Sequence, residues 1–287
     1  MKYIVPHKRP RAFSETSRPE CPDDDNDDSN GSHQGAQSPS SSGSASSLDS
    51  SSDQQFDEAP ELYRSSGIVP FAVDPVTQTI YVLLARSSFP AGRGKWSDFG
   101  GGVSSEDHRD DRRTAAREFT EESLCALRGI GGDRQHVTFR NYMDHVWNTL
   151  CTHRFSFALD QVVHFPKSPE QRSIRRIVYT MRVPWQPDVN ERFQSMRQTL
   201  QHARDGTAGT GEIRRDMQSH PAFRSADGRI GPEWFEKSVV RWFSLDFLVQ
   251  CLSNGNSFRG VHLRYSFVEA LRVIVTKLSH LRNPETV

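Results

Sequence analysis

Three glutamates stand close together near the middle of the chain, at Glu118, Glu121 and Glu122. Residues three and four apart share one face of a helix, so a helix here projects all three carboxylates to one side. Carboxylates held together repel one another at neutral pH, and a divalent cation removes that repulsion. Hard oxygen ligands of this kind suit Mg²⁺ or Mn²⁺. The pattern predicts a metal site, and the plainer interpretation is the solvated acidic face of an amphipathic helix.

The residues around the glutamates predict how such a helix is positioned. Three glycines, Gly100–Gly102, precede a polar and acidic loop, and glycine lets the backbone approach a ligand closely. We expect the helix to run past Leu124 towards Gly129. The side of the helix away from the glutamates is predicted to pack on a core and consists of Ala116, Phe119, Ser123 and Leu127.

This stretch resembles the Nudix box, in which a glycine is followed after five residues by glutamate and, seven residues later, by Arg-Glu-apolar-x-Glu-Glu-x-Gly. The second half matches at Arg117–Glu122, and the lead-in Trp96–Gly101 is similar to that of many family members. The resemblance implies a metal-dependent hydrolase of diphosphates linked to another group. It also implies the fold class, an α/β/α sandwich built on a mixed β-sheet.

The resemblance implies roles for individual residues. The three glutamates would be Mg²⁺ or Mn²⁺ ligands, with Glu122 also taking part in catalysis. Arg117 would orient one of them through a charge-assisted hydrogen bond. Family members often carry a glutamate just before an apolar-Arg-Trp strand, so Glu236, with Glu233 behind it, would supply a further ligand or the general base.

Groups beside the glycine loop are candidates for binding substrate. The backbone near Gly101 and Gly102 would approach the substrate or the metal. Arg86 and Lys95 could meet substrate phosphates, and a solubilising surface position explains each of them equally well.

The first half of the box departs from the family pattern. The loop from Gly102 to Arg117 is one residue longer, Arg109 stands where the first glutamate is expected, and the closing glycine falls on Leu124. Four acidic residues could replace the first glutamate, and the spacing does not choose among them. They are Glu106, Asp107, Asp110 and Asp111.

Composition limits the class and location of the protein. The 287 residues include 36 basic and 36 acidic side chains, so there is no overall attraction to nucleic acid or anionic membrane. The four cysteines have no zinc-like spacing, which is typical of a reducing compartment. No apolar run reaches the length of a membrane span, and the N-terminus lacks the apolar segment of a signal peptide. We predict a cytoplasmic protein, and the basic cluster His7–Arg11 leaves a nuclear location open.

The chain is predicted to divide near residue 60. Residues 1–60 form an acidic and Ser-rich tail, which buries too little apolar area to fold and could bind a basic partner. Residues 61–287 form the Nudix-like domain, with a partly helical insertion over about 190–230 that covers or borders the site. The predicted strands are Ser66–Val73, Ile80–Arg86, Val137–Phe139, Thr152–Leu159, Arg175–Trp185 and Trp234–Phe243, and the predicted helices after the box are Val189–Asp205, Glu212–Phe223, one starting at Ser244, and Leu263–Leu281.

The predicted function is metal-dependent cleavage of a diphosphate linkage in a nucleoside-diphosphate derivative or similar molecule. A capped RNA end, a diphosphoinositol polyphosphate, a nucleotide sugar and a dinucleotide all remain open as substrates, and no pattern indicates an oligomeric state. Two other classes remain open: a Nudix-like binding module with weakened catalysis, and a scaffold that works through its acidic tail. A capped RNA or inositol substrate would need a basic surface, for which the candidates are Arg172, Arg175, Arg176, Arg214 and Arg215.

Overall fold

The computed structural model describes residues 63–130, 138–152, 156–165, 173–205 and 230–282. All of these residues belong to one unit of the chain, Glu58–Val287. The predictions for the tail at 1–60, for the helix Glu212–Phe223 and for most of the insertion lie outside the described residues.

A mixed β-sheet forms the centre of this unit. The strands lie side by side in the order β5-β6-β1-β2-β3-β9-β8, with β4 paired to β1 and β7 paired to β2. Strand β1 runs parallel to β6, and β3 runs parallel to β9, while the other pairs are antiparallel. The strands are β1 (Tyr63–Val73), β2 (Ile80–Ser87), β3 (Lys95–Ser97), β4 (Phe99–Gly102), β5 (Phe157–His164), β6 (Ser173–Arg182), β7 (Lys237–Ser244), β8 (Ser257–Phe258) and β9 (Val261–Leu263).

Helices cover both faces of the sheet. On one face, Phe119, Tyr142 and Phe193 from the first three helices form a first core with the sheet. On the other face, Leu248 and Phe267 from the last two helices belong to a second core. The predicted α/β/α sandwich with a mixed sheet is confirmed. The helices are α1 (Asp111–Ser123), α2 (Phe139–Cys151), α3 (Val189–Arg204), α4 (Leu245–Ser253) and α5 (Tyr265–Arg282).

Strand β2 shows why its sequence is apolar almost throughout. Leu83 and Ala85 face the first core, whereas Val82 and Leu84 face the second. Because successive side chains of a strand point to opposite faces, a strand covered on both sides needs apolar residues at every position. Within the described residues, no helix combines the length and apolarity required to cross a bilayer.

Several predicted strand boundaries are wrong. Three of them are set by a neighbouring helix or turn, and local capping explains the first of these three. Phe139 begins helix α2 instead of ending a strand, because the Thr138 hydroxyl accepts a hydrogen bond from the Asn141 amide at 3.1 Å and caps the helix. The strand predicted from Thr152 begins only at Phe157, since α2 runs to Cys151.

The third wrong boundary lies before β7. The segment Pro232–Phe235 is a 3-10 turn, and the strand begins at Lys237. Trp234 and Phe235 are buried in the first core, so this turn is held by packing and not by sheet pairing. The predicted N-cap at Ser244 is confirmed, because its hydroxyl accepts from the Phe247 amide at 3.3 Å.

Helix α1 ends earlier than predicted. Leu124 has φ of +53° and Cys125 has φ of +55°, so the chain turns into the left-handed region directly after Ser123. A left-handed residue stops a helix, and glycine usually occupies that position because a side chain is strained there. Leu124 is fully buried, at 0% exposure. Packing of its side chain therefore offsets the backbone strain.

This balance predicts an unusual order of stability for two substitutions at Leu124. Both Leu124→Ala and Leu124→Gly lose the buried side chain and should destabilise the protein by about 2–5 kcal/mol. The glycine variant relieves the left-handed strain and should be the more stable of the two by about 0.5–1 kcal/mol. Urea denaturation of the two variants measures this difference, and a less stable glycine variant would contradict the assigned backbone conformation.

Candidate active site

Helix α1 is fixed at its start and along its apolar side. The Asp110 carboxylate caps the helix by accepting from the Arg112 amide at 2.8 Å, and it also accepts from the Trp147 indole at 3.1 Å. In the first core, the Phe119 ring meets the Phe99 ring edge-on, with centroids 5.3 Å apart. These contacts hold the glutamate side of α1 against strand β4.

The glycine loop comes unusually close to its neighbours. A Cβ atom at Gly100 would lie 2.6 Å from the Cα atom of Gly67, so β4 and β1 can pair this closely only without side chains. A Cβ atom at Gly101 would lie 2.5 to 2.6 Å from the carboxylate atoms of Glu118. The loop backbone therefore directly adjoins the α1 carboxylates, as close approach by glycine allows.

Arg117 connects the loop to two of the glutamates. Its Nη1 atom lies 2.8 Å from Glu118 Oε1 and 3.1 Å from Glu121 Oε2. Its Nη2 atom donates to the Gly102 carbonyl at 3.0 Å. Burial lowers the pKa of Arg117, but these neighbouring carboxylates and Asp107 outweigh burial and raise the pKa well above its usual range. Arg117 is positioned to orient Glu118 and Glu121.

Asp107 is the acidic residue of the loop before α1 that contacts Arg117. Both of its carboxylate oxygens accept from Arg117, at 3.0 and 2.9 Å, and one also accepts from the Ser104 amide at 2.8 Å. Burial raises the pKa of Asp107, but the hydrogen bonds from Arg117 and Ser104 outweigh it and hold the pKa below its usual range. Of the four acidic residues that the spacing left open, Asp107 is the one that pairs with Arg117.

The other three acidic candidates have different places. Glu106 is exposed, Asp110 caps α1, and Asp111 pairs with Arg64. One sequence signal could have favoured Asp107. Ser104 and Asp107 have the spacing of a capping box, and the structure forms one there.

Glu122 is held by two partners from outside its helix. Its Oε2 atom accepts from the Gly100 amide at 2.7 Å, and its Oε1 atom lies 3.1 Å from the Lys237 ammonium. Lys237 is only 3% exposed. Sequence reasoning missed Lys237, because a lysine at the start of a strand usually faces solvent. Its position directly after Glu236 was the available signal.

The carboxylates of α1 are not a solvated face. Glu121 and Glu122 are each only 4% exposed. Burial is the main cause that raises the pKa of Glu122, to about 8, with the charges of Glu118 and Glu236 adding to it. Burial and neighbouring carboxylates likewise raise the pKa of Glu118, and they raise that of Glu121 well above its usual value.

Glu236 lies at the edge of the same group. Burial, followed by the charge of Glu118, raises the pKa of Glu236, while Lys237 and Arg264 act in the opposite direction. Its backbone carbonyl accepts from the Ser88 amide at 2.8 Å, which joins the segment before β7 to the loop after β2. The charge of Glu233 raises the pKa of both Glu121 and Glu236.

The two predicted phosphate contacts are placed differently. Arg86 continues the row of Val82 and Leu84, which packs in the second core, so it lies on the face of the sheet away from α1. The structure therefore does not bring Arg86 to the glutamates. Lys95 is exposed on β3 and shares its side of the strand with Ser97.

The basic surface predicted for a capped RNA or inositol substrate is not assembled from the described arginines. Arg176 is buried, and its Nη2 atom lies 2.5 and 2.7 Å from the two carboxylate oxygens of Asp98. Arg175 pairs with Asp160 at 2.5 Å. Arg172, Arg214 and Arg215 lie outside the described residues.

The arrangement of the carboxylates bears on metal binding. Among the described residues, no three His, Cys, Asp or Glu side chains are placed together as ligands of one ion. Arg117 forms ion pairs with Glu118 and Glu121, whereas Glu122 forms its ion pair with Lys237. The donor types are nevertheless hard oxygens that fit Mg²⁺ or Mn²⁺, and Gly101 leaves the space in which the Glu118 carboxylate lies.

Comparison with known proteins finds matches among solved structures. No family model and no curated protein matches the chain. The NUDIX domain of Shewanella oneidensis NrtR, complexed with ADP ribose, is 12% identical with a TM-score of 0.39, covering 77% of this chain and 94% of that one. A NUDIX hydrolase from Alicyclobacillus acidocaldarius is 13% identical with a TM-score of 0.40, covering 75% and 92%. The Nudix hydrolase RenU of M. Smegmatis is 10% identical with a TM-score of 0.37, covering 77% and 88%.

All three structures are Nudix proteins, the family whose box this sequence resembles. Identities and TM-scores this low do not indicate a function, so the function of the chain is inferred from the residues of its own site.

The buried pair of Asp107 and Arg117 predicts how stability depends on pH. Asp107→Asn removes a buried counter-charge that contacts Arg117 and should destabilise the protein by about 3 kcal/mol near pH 6. The folded pKa of Asp107 lies below its unfolded value, so this contribution is present above about pH 4 and is lost as pH falls through the folded pKa.

Chemical denaturation of both proteins between pH 6 and pH 3 measures the effect. The stability difference should shrink as the solution becomes more acidic, and a constant difference would contradict the depressed pKa. Asp160→Asn is the matched control, because it makes the same change in an exposed ion pair and should alter stability by less than about 1 kcal/mol.

Proposed function

We propose that the chain is a Nudix-type diphosphate hydrolase that uses Mg²⁺ or Mn²⁺. The observation that supports this function is an imbalance of charge at the site. The carboxylates that act on one another, here called the glutamate cluster, are those of Glu118, Glu121, Glu122, Glu233 and Glu236. Two cations, Arg117 and Lys237, contact this cluster.

The imbalance makes a divalent cation the natural partner of the cluster. Burying several carboxylates together is unfavourable unless positive charge compensates them. Glu118 and Glu121 would hold the ion. When bound, Mg²⁺ or Mn²⁺ would lower the pKa of a bound water and neutralise charge on phosphate oxygens.

The chain's own residues supply the other functions of a hydrolase. Arg117 keeps Glu118 and Glu121 directed at the glycine loop. Glu236 is our candidate for the general base, because a carboxylate with a raised pKa can take a proton from water near neutral pH. Its half-buried position at the edge of the cluster leaves it within reach of substrate.

Arg264 is a candidate for binding substrate phosphate. Its guanidinium charge lowers the pKa of Glu236, and its Nε atom lies 3.9 Å from the position a Cβ would take at Gly92. It therefore stands between the loop after β2 and the edge of the glutamate cluster. A guanidinium there could pair with a phosphate while the cluster acts on the diphosphate linkage.

A second candidate function is a Nudix-like module that binds a phosphorylated ligand with weak or no turnover. The observation that favours it concerns Glu122, whose two carboxylate oxygens are already engaged by the Gly100 amide and the Lys237 ammonium. A carboxylate held in this way is less free to bind a catalytic ion. Turnover measurements separate the two functions.

The hydrolase function predicts metal-dependent cleavage within a panel of diphosphates. We would assay nucleotide sugars, dinucleotides, diphosphoinositols and capped RNA with Mg²⁺ and with Mn²⁺. One substrate class should be cleaved into two phosphorylated products, and Glu118→Gln should lose about 100-fold in kcat/KM because a charged ligand is removed.

Glu106→Gln is the control for this assay, since it makes the same change at an exposed position just before α1. It should retain the turnover of the wild type. Absence of cleavage across the panel by a folded protein would reject the hydrolase and favour the binding module.

The role of Arg264 gives a separate prediction for the substrate that is cleaved. Arg264→Met removes one charge-assisted contact and should raise KM by about tenfold, with a smaller effect on kcat. Arg140→Met, at an arginine whose side chain is 71% exposed on α2, should leave both constants unchanged. An unchanged KM for Arg264→Met would remove Arg264 from the substrate site.

A further inference from the structure

Lys237 is bound as a metal ion would be. Its ammonium lies 3.1 Å from the Glu122 carboxylate, 3.2 Å from the Ser97 hydroxyl and 3.2 Å from the Asp98 carbonyl. A lysine ammonium carries three N–H donors, and three oxygens of different kinds surround this one. Carboxylate, hydroxyl and carbonyl oxygens are also the ligands of hard cations.

The backbone of Lys237 is held from the other side. Its carbonyl accepts from the Arg197 guanidinium at 3.2 Å, and the next carbonyl, at Ser238, accepts from the Gln194 amide at 2.8 Å. Both donors belong to α3, and Lys237 also pairs with Ser87 of β2. The ammonium is therefore presented to the cluster by a fixed strand, and it is 3% exposed.

The two cations of the site divide the glutamates between them. Arg117 contacts Glu118 and Glu121, and Lys237 contacts Glu122. The second oxygen of Glu122 accepts from the Gly100 amide, so Glu122 ties α1 to the glycine loop through one oxygen and to Lys237 of β7 through the other. Glu122 is thereby withdrawn from the group of glutamates that would share a divalent ion.

We propose that the Lys237 ammonium is a resident cation that occupies one cation position of the glutamate cluster, so that removing its charge opens one additional site for a divalent ion. This inference deepens the proposed function and rests on it, because it takes the cluster to be a metal-binding site. Lys237 is in these terms a positioning residue. It acts through Glu122 and the glycine loop.

Mn²⁺ binding to the full chain tests the proposal without any turnover. Titration followed by the electron paramagnetic resonance signal of free Mn²⁺ gives the number of ions bound per chain. Lys237→Ala removes the charge and also vacates the position of the ammonium, and it should bind one more Mn²⁺ than the wild type. Lys237→Arg retains the charge and should bind the same number as the wild type.

Two further variants control this experiment. Lys277→Ala removes one positive charge from an exposed position on α5 and should leave the number of bound ions unchanged. Glu122→Gln covers the case in which Lys237→Ala does not fold. Because Glu122 is engaged by Lys237, its replacement should change the Mn²⁺ affinity of the wild-type site by less than about threefold.

The possible results distinguish this inference from the proposed function. Equal numbers of ions in the wild type and in folded Lys237→Ala would overturn the role of Lys237, as would a large loss of affinity in Glu122→Gln. Binding by Lys237→Ala alone would support the resident cation and contradict the metal-dependent hydrolase. Binding by neither protein would overturn both proposals.

Discussion

The buried ion pair between Arg117 and Asp107 is the interaction on which the rest of the site depends. It joins the start of the loop after β4 to the middle of helix α1, and the same guanidinium reaches Glu118, Glu121 and the Gly102 carbonyl. Because one rigid, planar group makes all of these contacts, the spacing between the glycine loop and the α1 carboxylates is set by a single residue. The core contacts of Phe119 then fix that helix on the sheet.

Charge compensation organises the site around this pair. The glutamates are buried, and the protein supplies one cation from within the box and another from strand β7. Arg117 is part of the local sequence pattern, whereas Lys237 reaches the site only because β7 pairs with β2. A divalent ion would complete the compensation on the side of Glu118 and Glu121. In the hydrolase such an ion would activate a water for attack on the substrate, whereas in the binding module it would not.

The parts of the site that could be predicted from sequence are those encoded by local periodicity. Helical spacing placed Glu118, Glu121 and Glu122 on one element, and the apolar run of β2 indicated a strand covered on both faces. Asp107 could not be selected in this way, because four acidic residues lie within one loop. A 3-10 turn followed by left-handed backbone at His108 and Arg109 determines which of them meets Arg117.

Other features depended on long-range packing and left little trace in the sequence. Leu124 adopts a left-handed conformation without being glycine, since its buried side chain compensates the strain. Arg86 lies on the face of the sheet away from α1, because it follows Val82 and Leu84 in the alternation of β2 side chains. Its closeness to the box in sequence did not indicate this face. Lys237 becomes recognisable only when β7 is placed beside β2 and its ammonium is seen against Glu122.

The central claim is that the glutamate cluster compensates its charge with a divalent ion, and anomalous diffraction from crystals soaked in Mn²⁺ tests it most directly. If the cluster binds a divalent ion, we expect an anomalous peak in contact with carboxylate oxygens of Glu118 and Glu121, on the side of the glycine loop. The peak should be lost in crystals of Glu118→Gln. A map with no peak at the cluster, in crystals that show Mn²⁺ bound elsewhere on the chain, would contradict it.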